Sequence, residues 1–183
     1  AILPQLQSIF QTHYYHVFTS TDMIGVEVCV ALKNPYAIAA GIAVGMGGAG
    51  SQNRVASVFA QGLTEMAYLV LVLGGDVETV FTLPGAGDLF VTTHAGRNAR
   101  FGRLLGSGLP YDQALAEMPS STIEGVEAIR TIGPVLEKMI AQGRVNPTRV
   151  ALFRALHKIV TEQSLADFDL SRFFTEQTRN HSR

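Results

Sequence analysis

A lone lysine, Lys33, stands in Ala31-Leu32-Lys33-Asn34, inside a segment that is otherwise nearly all apolar. Burying an unpaired ammonium is costly, so Lys33 is expected to have a partner. Further along come Gly87-Asp88-Leu89, then Thr92, then Gly96-Arg97-Asn98. A buried lysine, a carboxylate, a hydroxyl and an Arg-Asn pair opening a helix would suit a small phosphorylated substrate that exchanges a proton. Reducing a ketone needs hydride at carbon and a proton at oxygen. A lysine close to that oxygen can donate the proton, and a nearby carboxylate tunes its charge and holds it in place. A plain buried ion pair, or a lysine whose head reaches water, fits the same residues.

Gly96-Arg97-Asn98 unites two features that favour phosphate: a helix N-terminus with free backbone N–H groups, and an arginine fork. Equally, Asn98 can serve as a cap and Arg97 as a surface charge. Thr92 and Thr93 can orient the Lys33 amine or bond back to their own helix. Glu124 can bind ribose hydroxyls or act as a favourable first-turn charge.

The run Gly45-Met46-Gly47-Gly48-Ala49-Gly50 matches G-x-G-x-x-G literally. A dinucleotide loop needs a strand before it and an acidic residue about 20 positions on, at a strand end. The preceding AIAAGIAV reads as helix, and Glu65 lies inside a helix, so an interhelical loop is expected. His13, His16, His94 and His157 have no metal-ligand spacing with each other or with Cys29, so no metal site is expected. No Gly-x-Ser-x-Gly or other nucleophile arrangement occurs.

The elements that must position these residues are mostly helices. Pro4 to Gln11 can form a short helix, and Tyr14 to Thr19 reads as a short strand. Asp22 caps a helix from about Met23 to beyond Lys33, which Pro35 should kink or end. Ser51 opens a helix closed by Gly74, with Val55, Val58, Phe59, Leu63, Met66, Leu69 and Val70 at helical spacing. Asp76 caps a short helix ending near Leu83. Helices follow over Arg97 to Leu105, Tyr111 to Met118, and Gly125 to Gln142 with a kink at Pro134. Asn146-Pro147 opens another, which buries Val150, Phe153, Leu156 and Val160. A polar tail follows Glu162. There is no repeat or low-complexity run, and one mostly helical domain is expected.

At 183 residues the chain can build one substantial core. Fourteen Lys and Arg against fifteen Asp and Glu offer no electrostatic case for nucleic acid or an anionic membrane. Cys29 is the only cysteine, which excludes an internal disulfide and fits a reducing, cytoplasmic compartment. Its simplest role is a small buried apolar side chain. The N-terminus has no basic region before an apolar run, so no signal peptide is read there. It begins with Ala1, so a longer parent chain is expected. Ile24 to Met46 is long enough to span a bilayer, but Glu27, Lys33, Asn34 and Pro35 interrupt it, and a buried bundle helix is expected instead.

Taken together, these segments resemble the C-terminal domain of NAD(P)-dependent glycerol-3-phosphate dehydrogenase. Gly25-Val26-Glu27, Ala31-Leu32-Lys33-Asn34, Ala37-Ile38-Ala39 and Gly41 resemble the family's catalytic-lysine segment. Gly62-Leu63-Thr64-Glu65-Met66 resembles the helix that follows. Gly85-Ala86-Gly87-Asp88-Leu89, Thr92, Arg97-Asn98 and Gly102 resemble its substrate segment. Ile123-Glu124-Gly125-Val126 resembles a segment near the cofactor. The resemblance runs from about Phe18 to Pro147, and Pro35 departs from it where the family commonly has an aliphatic residue.

The resemblance implies an all-α domain like the C-terminal domains of the 6-phosphogluconate-dehydrogenase-like superfamily, with a residual strand at its N-terminus. Residues 1–20 would be a remnant of, or linker from, an absent Rossmann domain, 21–174 the helical substrate domain and 175–183 a frayed tail. It implies interconversion of dihydroxyacetone phosphate and sn-glycerol 3-phosphate with NAD or NADP. Lys33 would be the proton donor and acceptor, supported by Asp88 and Thr92. Gly96, Arg97 and Asn98 would hold the substrate phosphate, and Arg97 and Glu124 would meet a cofactor bound mainly by the absent domain. The isolated chain would be inactive, and a homodimer is expected from its uncovered face. Two other readings stay open: another hydroxyacid or sugar-nucleotide dehydrogenase of Rossmann-plus-helical build, or a non-catalytic helical interaction module in which Lys33, Asp88 and Arg97 do not converge.

Overall fold

The computed structural model of the protein describes residues 2–47, 51–119 and 121–164. Eight α-helices follow one another among them: α1 (Ile2–Phe10), α2 (Met23–Gly45), α3 (Ser51–Leu73), α4 (Asp88–His94), α5 (Arg97–Gly106), α6 (Tyr111–Ala116), α7 (Glu124–Ala141) and α8 (Ala151–Glu162). Short 3₁₀ turns occupy Val77–Phe81 and Pro147–Val150, and one π turn occupies Leu83–Gly87. The expected fraying beyond residue 174, and the second half of the glycine run, lie outside the described residues.

Local signals explain the helix starts. Asp22 Oδ1 accepts from Gly25 N at 2.9 Å and Asp76 Oδ1 from Glu78 N at 2.9 Å. Asn146 Oδ1 accepts from Thr148 N at 3.0 Å. Each satisfies a backbone donor that the helix itself leaves open. Asp22 does more, since its Oδ2 also takes Asp76 N and Thr79 Oγ1, tying the start of α2 to the turn after α3. These hydrogen bonds hold its carboxyl below the usual value, Thr79 contributing most.

Tyr14 to Thr19 is not a strand. Strand backbone needs a neighbouring strand to complete its ladder, and no strand occurs among the described residues. The segment instead folds back on α1, with Gln7 Nε2 donating to Val17 O at 2.7 Å. Nor does proline end either helix: α2 runs through Pro35 to Gly45, and α7 runs through Pro134 to Ala141. Packing along both helices outweighs the lost backbone hydrogen bond.

α2 is the axis of the fold and packs against α3, α4, α5, α7 and α8. α2 and α3 both have the length and apolar composition to cross a bilayer. A central core helix has the same composition, and α2 buries every residue from Pro35 to Ala43. α3 buries one stripe, including Val58, Met66, Leu69 and Val70.

The closest approach is between α2 and α5. A Cβ on Gly41 would stand 2.3 Å from Ala99 O, and one on Gly45 would stand 2.2 Å from Arg103 O. From the other side, a Cβ on Gly106 would stand 2.2 Å from Ile42 O. Four-residue spacing on each helix thus makes two facing glycine stripes, and the backbones touch where side chains would hold them apart. This contact brings Lys33 and Asn34 of α2 alongside the start of α5.

Candidate functional site

Lys33 projects from α2 to the first residue of α4, where its Nζ donates to Asp88 Oδ2 in an ion pair. The two side chains are 21% and 38% exposed, so the pair is partly dehydrated yet open to solvent. The π turn over Leu83–Gly87 sets the direction of Asp88. Gly85 lies so tightly against the preceding turn that a Cβ there would stand 2.1 Å from Val80 O. Such irregular turns recur at functional positions. Thr92 Oγ1 donates to Asp88 O at 2.6 Å and lies 3.5 Å from Asp88 Oδ1, so it faces the carboxylate rather than the amine. Thr93 bonds back to Phe90 O at 2.7 Å within its own helix.

Gly96 precedes α5 with φ +113°, a region that disfavours residues with a Cβ. No side chain caps α5, so its first backbone N–H groups are not taken up by a capping residue. Arg97 and Glu124 pair across this end, each about half exposed. Asn98 turns inward instead. It is 3% exposed. Its Oδ1 accepts from Gly125 N at 2.9 Å, and its Nδ2 donates to Asn34 Oδ1 at 3.0 Å. One amide therefore joins α2, α5 and α7 beside Lys33. A phosphate at this helix start would meet the Arg97 guanidinium and backbone N–H groups, with the Asn98 amide engaged within the protein.

The expected residues thus fall into one neighbourhood. Lys33 contacts Asp88, its neighbour Asn34 contacts Asn98, and Arg97 beside Asn98 contacts Glu124. A separate cleft of about 280 Å³, lined by Tyr111, Ile123, Val126, Glu127 and Arg130 among others, contains none of them. Cys29 is buried, and burial raises its thiol to about 11, which fits an inert packing role. No metal-binding cluster occurs among the described residues. His94 sits on the last turn of α4, its Nδ1 2.8 Å from Phe90 O and its ring tilted over Phe90. Gly45 is the last residue of α2 and Gly47 lies just beyond it, so the glycine run begins in a helix and lacks the preceding strand that a dinucleotide loop needs.

Sequence reading passed over Glu65. It is fully buried on α3, and four donors converge on its carboxylate. Oε1 accepts from Gln61 Nε2 at 2.9 Å and Leu152 N at 2.7 Å. Oε2 accepts from Tyr36 OH at 3.0 Å and Phe153 N at 2.9 Å. Burial pushes its carboxyl up to about 7, while all four hydrogen bonds pull it down. The position that should cap α8 is Val150, which cannot; Glu65 bonds the second and third N–H of α8 in its place. A signal existed: Glu65 falls on the apolar stripe of α3 with Val58, Gly62 and Leu69.

The model of the NAD-dependent glycerol-3-phosphate dehydrogenase C-terminus matches residues 22–167. A glycerol-3-phosphate dehydrogenase [NAD(P)+] of Clostridium botulinum is 38% identical over 137 residues, 74% of this chain and 41% of that one. An NADP(+)-dependent glycerol-3-phosphate dehydrogenase of Archaeoglobus fulgidus is 41% identical over 133 residues, 69% of this chain and 39% of that one. The crystal structure of a glycerol-3-phosphate dehydrogenase from Coxiella burnetii superposes with TM-score 0.76 at 33% identity, covering 97% of this chain and 51% of that one. The chain thus spans about two fifths to one half of the relatives it matches.

Proposed function

Because this chain belongs to the family of NAD-dependent glycerol-3-phosphate dehydrogenase C-termini, we propose that it is the substrate-binding, proton-transferring part of an enzyme interconverting dihydroxyacetone phosphate and sn-glycerol 3-phosphate. The observation that carries the proposal is the Lys33–Asp88 pair, partly open to solvent and one residue from the Asn34–Asn98 contact that anchors α5.

In the reducing direction, the substrate ketone oxygen lies against the Lys33 ammonium. Lys33 gives that oxygen a proton as hydride reaches the carbon, and its neutral amine regains a proton from water. In the reverse direction the amine takes the proton from the alcohol. Asp88 holds Lys33 at the end of its reach, and Thr92 steadies Asp88. Arg97 and the open N–H groups at Gly96-Arg97-Asn98 attract the substrate phosphate.

A bound nicotinamide dinucleotide, NADH or NADPH, supplies the hydride. The residues of this chain that suit such a group are Arg97 and Glu124, which are half exposed and paired with each other. The guanidinium matches a phosphate oxygen and the carboxylate matches ribose hydroxyls. The exposed Phe81, Leu83, Phe90 and Val91, close in sequence to Asp88, support a further surface of this chain being covered in the whole protein, including by a second copy. A buried unpaired Cys29 accords with a reducing, cytoplasmic setting.

The test is NADH and NADPH oxidation by the full-length protein containing this chain, with dihydroxyacetone phosphate as acceptor and sn-glycerol 3-phosphate measured as product. Oxidation matched one-to-one by product is expected. Turnover of a 3-hydroxyacid or sugar nucleotide in its place would overturn the reading.

A further inference from the structure

Lys33 and Tyr36 lie one turn apart on α2 with Pro35 between them. Proline offers no N–H to the Ala31 carbonyl, and its ring crowds that carbonyl. α2 is therefore weakest in its own backbone hydrogen bonding at the turn that carries Lys33. Packing must set its direction there. On the N-terminal side of the proline the restraints are Lys33–Asp88 and Asn34–Asn98. On the C-terminal side stands Tyr36, fully buried, whose hydroxyl donates to Glu65 Oε2 at 3.0 Å and whose ring meets Phe153 edge-on at 6.4 Å.

Glu65 is itself held from α8, by the N–H groups of Leu152 and Phe153, and from its own helix by Gln61. These bonds fix both carboxylate oxygens, so Oε2 is a stationary acceptor for Tyr36. We propose that Glu65 is a positioning residue for Lys33: through the Tyr36 hydroxyl it sets the direction of α2 across Pro35, and so the reach of the lysine. This rests on the function proposed above. It couples the docking of α8, which carries none of the expected site residues, to the geometry of proton transfer.

The experiment uses the full-length protein containing this chain. Its first arm is the unaltered enzyme with dihydroxyacetone phosphate and NADH, since silence there sinks the functional reading and not merely the positioning role. Tyr36→Phe then removes only the hydroxyl, and Glu65→Gln replaces one acceptor with a donor. Leu69→Ala, on α3 and apart from this chain of bonds, serves as the destabilised control. Tyr36→Phe should lower kcat about tenfold, with KM for dihydroxyacetone phosphate within twofold of the parent, as a small misplacement of a reacting group does. Tyr36→Phe/Glu65→Gln should be no slower than the slower single variant, because both act along one path. Leu69→Ala should lose thermal stability and keep kcat. Tyr36→Phe with kcat within twofold of the parent would overturn the proposal, and so would an equal fall in kcat for Leu69→Ala. If Glu65→Gln fails to fold, Tyr36→Phe against Leu69→Ala decides alone.

Discussion

Gly102 of α5 lies so close to Ile38 of α2 that a Cβ on it would stand 2.1 Å from the Ile38 carbonyl oxygen. The neighbouring backbone atoms leave no flexible side chain to yield. Gly102→Ala should therefore push α5 from α2 and lower stability by about 1–3 kcal/mol or more, the usual scale for overpacking. It should also weaken the Asn34–Asn98 contact one turn away. Denaturant unfolding checks the first effect, and a midpoint equal to that of the parent would show that the helices are not in backbone contact.

If the proposed function holds, Lys33→Ala in the full-length protein containing this chain should lower kcat by about 10²-fold or more, the scale of a positioned proton donor. Lys33→Arg should rescue poorly, because a guanidinium does not give up its proton and is bulkier. Steady-state rates with dihydroxyacetone phosphate decide it, and near-normal turnover by Lys33→Ala would remove the lysine from the chemistry.

Arg97→Ala should mainly raise KM for the phosphorylated substrate and also reduce kcat. Loss of one charged hydrogen-bonding partner is worth about 1.5–3 kcal/mol, or roughly ten- to a hundredfold in kcat/KM. Arg97 is half exposed, so the fold should survive and the melting temperature should change little. Kinetics identical to those of the parent would exclude Arg97 as the phosphate anchor.

Glu65 makes stability depend on pH. Its carboxyl is raised to about 7 in the folded state against an ordinary 4.5, with burial as the cause. Between those values the folded protein keeps a proton that the unfolded chain has released. Stability should thus fall as pH rises through this window and level off above it, by about 3 kcal/mol at about 1.4 kcal/mol per unit. Glu65→Gln, which cannot titrate, should flatten that slope. Unfolding free energies measured across the window test the sign, and stability that rises with pH in a Glu65-dependent way would reverse the assignment.

Residues 1–183 expressed alone should fold, bind NADH weakly and turn over no dihydroxyacetone phosphate. On the proposed reading, Arg97 and Glu124 would meet only one side of a dinucleotide, and hydride transfer needs the two reactants aligned. Titration with NADH and a coupled rate assay check this. Tight binding or turnover by these residues alone would mean that the cofactor site lies within them.

What the sequence determined by itself was local. The caps at Asp22, Asp76 and Asn146 and the order of helices follow from contacts within a few positions, where residue type and spacing carry the physics. The resemblance around Lys33, Asp88 and Arg97 also pointed to the right family. Tertiary structure alone decided the rest. Tyr14 to Thr19 has strand composition but no strand to pair with. Pro35 was a candidate to end its helix, yet packing carries α2 through it to Gly45. Asn98, which read as a cap or phosphate ligand, turns inward because Asn34 and Gly125 supply its partners from 64 and 27 positions away. Glu65 reads as one more charge in a helix until Leu152 and Phe153 arrive 87 and 88 positions later with unsatisfied N–H groups. A buried polar group takes its meaning from the donors that meet it, and no local pattern records which distant backbone those donors belong to.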